Sequence, residues 1–235
     1  MEVIFAHGAL VNDGDWWWQP TAQLLRERTG IRSRAVALPS CGEGDPEQVH
    51  GGLVADAAAL RRELDDVDAA IVVGHSYGGT VIAEAGHHPA IEHLVLVSSY
   101  LPDVGQSQAA IMSGERDPVS VGDGGPGLLA LSGYDQTSFA ARFLADADAE
   151  TQRGGWERVT PQSVEAFMTP TSAAGWQGVD STYIVCAEDR STSLELQRFH
   201  AARATRSVEL PTGHHPFLSR PDLMVDQLAP LTARD

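Results

Sequence analysis

The segment Val72-Val73-Gly74-His75-Ser76-Tyr77-Gly78-Gly79 constrains this chain more than any other. It reads Gly-x-Ser-x-Gly. The apolar run Ala69-Ala70-Ile71-Val72-Val73 precedes it, and the helix-compatible run Thr80-Val81-Ile82-Ala83-Glu84-Ala85 follows directly. A strand, a tight turn and a helix are expected, with a serine at the apex. Glycines two residues before and two after the serine let the backbone bend sharply, because a Cβ at either place would strike the neighbouring strand or helix. The bend pushes a hydroxyl into a cleft and points the helix N-terminus at it.

Around this elbow, apolar strand-like runs alternate with helical patterns. Strands are expected at Val3–Ala6, Ser33–Leu38, Ala69–Val73, His93–Ser98, Thr182–Ala187 and Ser207–Leu210. Helices are expected at Thr21–Arg28, Leu53–Leu64, Tyr77–Gly86, Ser193–Ala204 and Asp222–Leu231. Strands separated by helices imply right-handed crossovers and a mostly parallel sheet of about six strands. In such sheets ligands bind beyond the C-terminal strand ends. The candidate chemistry lies there: His7-Gly8-Ala9 after the first strand, Ser76 after the third, Asp103 after the fourth, Asp189 after the fifth and His214 after the sixth.

The alternation breaks between Asp103 and Gly178, which is rich in Gly, Ser, Ala and Asp and has no buried strand pattern. Phe139–Phe143 and Pro161–Met168 read as short amphipathic helices, with Pro161 suited to a helix start. Residues 103–178 are therefore expected to form a small, mainly helical lid, with 1–102 and 179–235 as the core. Trp156, Phe167, Met168 and Trp176 need something to pack on, which argues against a disordered linker.

Composition narrows the partners. The 235 residues suit one domain, and a net charge of -16, scattered along the chain, disfavours nucleic acid and anionic membranes. No run approaches the ~18 apolar residues of a membrane span, and no leader precedes the first strand. A cytoplasmic protein, monomeric or homodimeric, is expected. Nothing calls for a bridge between its two cysteines, Cys41 and Cys186. No nucleotide-type glycine fingerprint opens a helix, and no His/Cys spacing suits a metal, so neither cofactor nor metal is expected.

A serine hydroxyl needs a base before it can attack a carbonyl. Of nine histidines, His214 and His215 follow the last strand. His214, directly after Gly213, is favoured as the base, with His215 at the pocket rim. His75 is expected beneath the elbow, and His50 and His200 on the surface. Asp189, just past the fifth strand, is the favoured acid to orient the base, and Asp103 is the rival. Backbone N–H groups of Tyr77 and Ala9 are the candidate oxyanion donors. Trp17, Trp156, Phe167, Trp176 and His215 are candidate substrate contacts; three adjacent tryptophans, Trp16 to Trp18, cannot all face one core.

Taken together, Phe5-Ala6-His7-Gly8-Ala9, Leu38-Pro39-Ser40-Cys41-Gly42, Gly74–Gly79, Tyr183–Asp189 and Gly213–Pro221 resemble the small-lid α/β-hydrolases, a group similar to plant methylesterases, hydroxynitrile lyases and their bacterial homologues. The resemblance spans most of the chain outside the lid and implies an α/β-hydrolase fold. It also implies a cofactor-free mechanism with Ser76, His214 and Asp189, and it supports His214 over His215. Gly8 and His215 stand where hydroxynitrile lyases of this type carry threonine and lysine, which argues against cyanohydrin cleavage. The first strand also lies at the very start, without the two leading strands of larger members. Hydrolysis of a small hydrophobic carboxylic ester or lactone is the expected reaction. C–C cleavage, lyase or cyclisation chemistry, or a ligand-binding receptor, are the alternatives.

Overall fold

The computed structural model describes residues 1–44 and 51–233. His50 lies outside them. In chain order the elements are β1 (Glu2–Ala6), α1 (Gly14–Thr29), β2 (Ser33–Ala35), a 3-10 turn (Pro39–Cys41), α2 (Leu53–Asp65), β3 (Ala70–His75), α3 (Gly78–Ala85) and β4 (Ile91–Val97). An insertion follows: α4 (Gln108–Met112), β5 (Val121–Asp123), β6 (Leu128–Leu131), α5 (Gln136–Phe143), α6 (Ala149–Trp156), β7 (Gln162–Ser163) and α7 (Val164–Met168). The core resumes with β8 (Ser181–Cys186), α8 (Leu194–Ala201), β9 (Arg206–Leu210), α9 (Pro216–Ser219) and α10 (Pro221–Thr232).

Six parallel strands form the main sheet in the order β2-β1-β3-β4-β8-β9. Its central strands are buried on both faces, which is why they read as continuous apolar runs. Successive residues feed opposite cores. Ile4, Val72 and Leu96 join the side covered by α2, α3 and α8, while Phe5, Val73 and Val97 join the side covered by α1, α9 and α10. Cys41 and Cys186 are free thiols in opposite cores. Among the described residues, no helix is long and apolar enough to cross a membrane.

Several boundaries differ from expectation. The strand expected to reach Leu38 ends at Ala35, and Leu38 N–H donates to the Glu43 carboxylate instead of a strand neighbour. Helix α1 begins at Gly14 rather than Thr21, so the tryptophan triplet is helical. Pro20 misdirects a sequence reading because proline removes a helix hydrogen bond, yet here it sits inside the helix. Asp13 caps that helix, accepting from Trp16 N–H at 3.3 Å.

The insertion contains a three-stranded antiparallel sheet, β5-β6-β7, that its composition hides. Its strands have two to four residues; Leu128–Leu131 is the one continuous apolar run among them and is only half-buried, while Val121–Asp123 and Gln162–Ser163 carry no such run. Pro161 does not start a helix; Gln162–Ser163 is extended, and α7 starts behind a Ser163 cap. The insertion is also stitched to the loop after β1. Asn12 N–H donates to Arg158 C=O, Thr160 N–H donates to Leu10 C=O, and Val11 bridges Val159.

Candidate active site

The elbow between β3 and α3 puts Ser76 in the left-handed region, at φ 49°. A non-glycine residue there is strained, and such strain clusters at functional sites. The surrounding glycines have specific neighbours. A Cβ on Gly74 would lie 2.6 Å from Ile82 Cδ1. One on Gly78 would run into the Ala6 carbonyl, and one on Gly79 into the Tyr100 carbonyl. Chain crossing, not turn geometry alone, demands these glycines.

Ser76 opens into a cavity of about 370 Å³ at the C-terminal ends of the strands. His214 lines the same cavity. Gly213 immediately before it packs so closely on Asp146 of the insertion that a Cβ would lie 2.5 Å from the carboxylate, which also accepts Gly213 N–H at 2.8 Å. Of the two adjacent histidines, His214 is the one that turns inward to Asp189. His214 Nδ1 stands 2.7 Å from Asp189 Oδ2. His215 turns instead to donate from Nδ1 to the Phe143 carbonyl, at 2.9 Å, and stacks on Trp17. With an ionised Asp189, the His214 proton resides on Nδ1, leaving Nε2 free to accept.

Asp189 has a fully buried side chain and five donors. Ser191 and Thr192 N–H reach Oδ1; Ser98 Oγ, His214 and Gln197 Nε2 reach Oδ2. Burial pushes its carboxyl up, but His214 and these hydrogen bonds outweigh it and hold the group below the usual carboxylate range. Ser98, at φ 41°, and Gln197 escape sequence reading because no motif marks them. The rival acid, Asp103, faces elsewhere: it pairs with Arg203 and is half-exposed.

Ala9 lines the cavity, and Tyr77 follows Ser76. Neither backbone N–H finds an acceptor among the described residues. Glu43, a member of the scattered acidic set by sequence, holds the Ala9 loop. Its carboxylate takes His7 Nε2 at 2.7 Å, Asp13 N–H, Gly14 N–H and Leu38 N–H. Burial alone would lower the His7 pKa and raise that of Glu43, but their pairing reverses both directions.

Of the expected substrate contacts, Phe167 and His215 line the cavity, whereas Trp17, Trp156 and Trp176 do not. Trp17 braces His215 from behind, because the early start of α1 turns it into the core. Trp156 packs on Phe139, itself part of the cavity wall. Trp176 lies on the other core, donating to Pro102 C=O beneath the Arg203 guanidinium. His200 is buried rather than exposed, and its Nδ1 accepts Leu101 N–H.

His75, His214 and His215 offer ligand atoms within 4.8 Å of one another, a convergence no sequence spacing announces. A tetrahedral zinc needs nitrogens about 3.3 Å apart. One nitrogen of each ring is also taken, by His214 C=O, Asp189 and Phe143 C=O respectively. The rings pack on one another instead, with centroids 4.5 to 4.8 Å apart. Burial, reinforced by His214, pushes His215 down to about 3 and keeps it neutral. Among the described residues, no Lys, Arg, Asp or Glu lines the cavity.

This parallel sheet, elbow and strand-end cavity are those of the alpha/beta hydrolase family, to which the chain belongs; the match runs over residues 3–227. Among its relatives, a carbendazim hydrolyzing esterase of Nocardioides sp. (strain SG-4G) is 26% identical, over 97% of this chain and 98% of that protein. Methylesterase 2 of Arabidopsis thaliana is 25% identical, over 96% of this chain and 93% of its own. A crystal structure of a pyrethroid hydrolase from Sphingobium faniae JZ-2 shares the fold, with a TM-score of 0.81 at 21% identity, covering 98% and 96% of the two chains.

Proposed function

We propose that the chain is a serine hydrolase that cleaves a carboxylic ester or lactone of a small, uncharged, largely apolar substrate. The observation that carries this is Ser76, strained at its elbow and sharing a cavity with a His214 whose Nδ1 rests on a buried Asp189. The esterases among its relatives support the same reading.

In this mechanism His214 Nε2 takes the proton from Ser76 Oγ as the hydroxyl attacks the ester carbonyl. Asp189 holds the imidazole in its working tautomer and stabilises the imidazolium. The free N–H groups of Ala9 and Tyr77 receive the oxyanion; one such donor typically contributes about 3 kcal/mol. His214 then returns the proton to the leaving alcohol, and water, deprotonated by the same ring, cleaves the acyl-enzyme. The insertion acts as a lid whose apolar wall selects the substrate. A cavity lined by no Lys, Arg, Asp or Glu among the described residues disfavours a free carboxylate or ammonium on the substrate, since a buried unpaired charge is strongly penalised.

Hydrolysis of short-chain p-nitrophenyl esters by the wild type and Ser76→Ala tests the reading. The variant should lose essentially all turnover, and a fluorophosphonate should label Ser76 alone. Equal rates for the two proteins, or a label elsewhere, would overturn it.

A further inference from the structure

One polar side chain in the cavity wall has no part in that chemistry. Gln108, the first residue of α4, is only 3% exposed and lines the cavity. Its Oε1 accepts the Thr80 hydroxyl at 2.6 Å, from a fully buried position on α3. The hydroxyl proton requires an acceptor, so the amide is oriented with its carbonyl on Thr80 and its NH2 turned away. That Nε2 has no acceptor among the described residues, yet it is not one of the sealed, unsatisfied buried atoms. It therefore faces open space, and the open space beside Gln108 is the cavity.

The neighbouring wall is apolar: Ala109, Met112, Val119, Leu129, Leu131 and Phe167. The other polar groups there are committed or undiscriminating. Ser113 Oγ donates to Ala110 C=O, and the Tyr100 hydroxyl is bonded to Thr192. Ser191 Oγ rotates freely and can either donate or accept. Among the described side chains of the wall that stand outside the proposed machinery, Gln108 offers a directed, neutral donor with no partner of its own.

We propose that Gln108 is a specificity-determining residue, donating to an uncharged acceptor oxygen (ketone, ether or hydroxyl) that the substrate carries in addition to its scissile ester. The proposal rests on the hydrolase reading above. An anionic acceptor does not fit, because among the described residues no Lys or Arg stands in the wall to share its charge. Leaving such a buried donor unpaired costs about 1–3 kcal/mol, so a substrate that completes the bond should gain roughly 10- to 100-fold in kcat/KM over one that does not.

An oxygen scan tests this with the full chain. Methyl octanoate is compared with analogues in which successive methylenes, C3 to C6, are replaced by an ether oxygen. The kcat/KM of each analogue relative to the parent is measured for the wild type, Gln108→Leu and Gln108→Glu. Dividing the wild-type ratios by those of Gln108→Leu removes the electronic effect of the oxygen on the ester. At least one position should then retain a preference of about tenfold or more. Assayed at alkaline pH, where its carboxyl is ionised, Gln108→Glu keeps the acceptor for Thr80 and the side-chain shape but has no donor, so it should lose the ether preference and favour a hydroxyl at that position. Identical ratios in all three proteins overturn the proposal, as does an equal loss on every substrate, which would mark a merely structural residue. Should Gln108→Leu fail to fold, Gln108→Glu decides alone. A wild type that hydrolyses p-nitrophenyl esters without any oxygen preference sinks the subsite only; one that hydrolyses no ester sinks both readings.

Discussion

Replacing Gln162 by leucine should slow catalysis without weakening substrate binding, although Gln162 does not line the cavity. Its Oε1 accepts Leu10 N–H at 2.8 Å, one residue beyond the proposed oxyanion donor Ala9. Its Nε2 donates to Ser40 Oγ at 2.9 Å, and Ser40 Oγ donates to Asp56 at 2.6 Å. Asp56 also accepts the Tyr77 hydroxyl at 2.7 Å, and Tyr77 supplies the second proposed donor. One buried chain thus ties both halves of the anion site to the insertion. Leucine leaves Leu10 N–H unpaired in the interior, a loss of about 1–3 kcal/mol. Leu10 is held at φ 61°, so a released loop has a more relaxed backbone available to it. Complete loss of one oxyanion donor costs about 3 kcal/mol, which bounds the catalytic effect. The expected result is a kcat reduced about 10- to 100-fold with KM changed less than about threefold, and a Tm lower by roughly 2–12 °C. Gln162→Glu, which keeps an acceptor for Leu10, should recover most of the kcat. Steady-state hydrolysis of p-nitrophenyl butyrate well below each Tm measures this. A leucine variant with wild-type kcat, or a loss appearing only in KM, would refute the reasoning.

Two further outcomes can be checked. Asp189→Asn should lower kcat by roughly 10³–10⁴, because the amide no longer fixes the His214 tautomer, while Asp103→Asn should change it less than about threefold; kinetics on one ester decides. Burial pushes the Asp56 carboxyl up to about 6, only partly offset by its hydrogen bonds from Ser40 and Tyr77. Its folded state therefore binds a proton more tightly than the unfolded chain, so its stabilising contribution is complete below about pH 4 and is lost as pH rises through about 6. Relative to Asp56→Asn, the wild type should lose up to about 3 kcal/mol between pH 4 and 7 in urea melts, and a flat or opposite difference would count against this assignment.

The legible parts of the sequence are those where one physical requirement dominates. Ile71–Val73 and Leu94–Val97 are buried on both faces, so they could only be runs of apolar residues. Gly74, Gly78 and Gly79 announce the elbow because another part of the chain occupies the space a Cβ would need. Gly213, just before His214, likewise has no room for a Cβ, although the obstacle, Asp146, belongs to the insertion that sequence reading resolves least. The illegible parts are polar residues whose partners lie far away in sequence. Gln162 reads as a helix residue and Glu43 as one of many scattered acidic residues until Leu10 and His7 are found beside them. His200 looks exposed because nothing local reveals that it caps Leu101 N–H. Tryptophan positions fail for a different reason: the face of Trp17 depends on where α1 starts, and Pro20 conceals that start.

The backbone pairing of Leu10–Asn12 with Arg158–Thr160 bears on how such enzymes diversify. An insertion joined to its host only at its two ends could be exchanged between relatives as a cassette. Here the far end of the insertion and the loop after β1 share backbone hydrogen bonds, so an exchange must replace two stretches of sequence together. Chimeras that take residues 103–178 from one protein while keeping residues 9–12 of another inherit a mismatched seam beside Ser76. The unit of recombination is therefore the pair of segments.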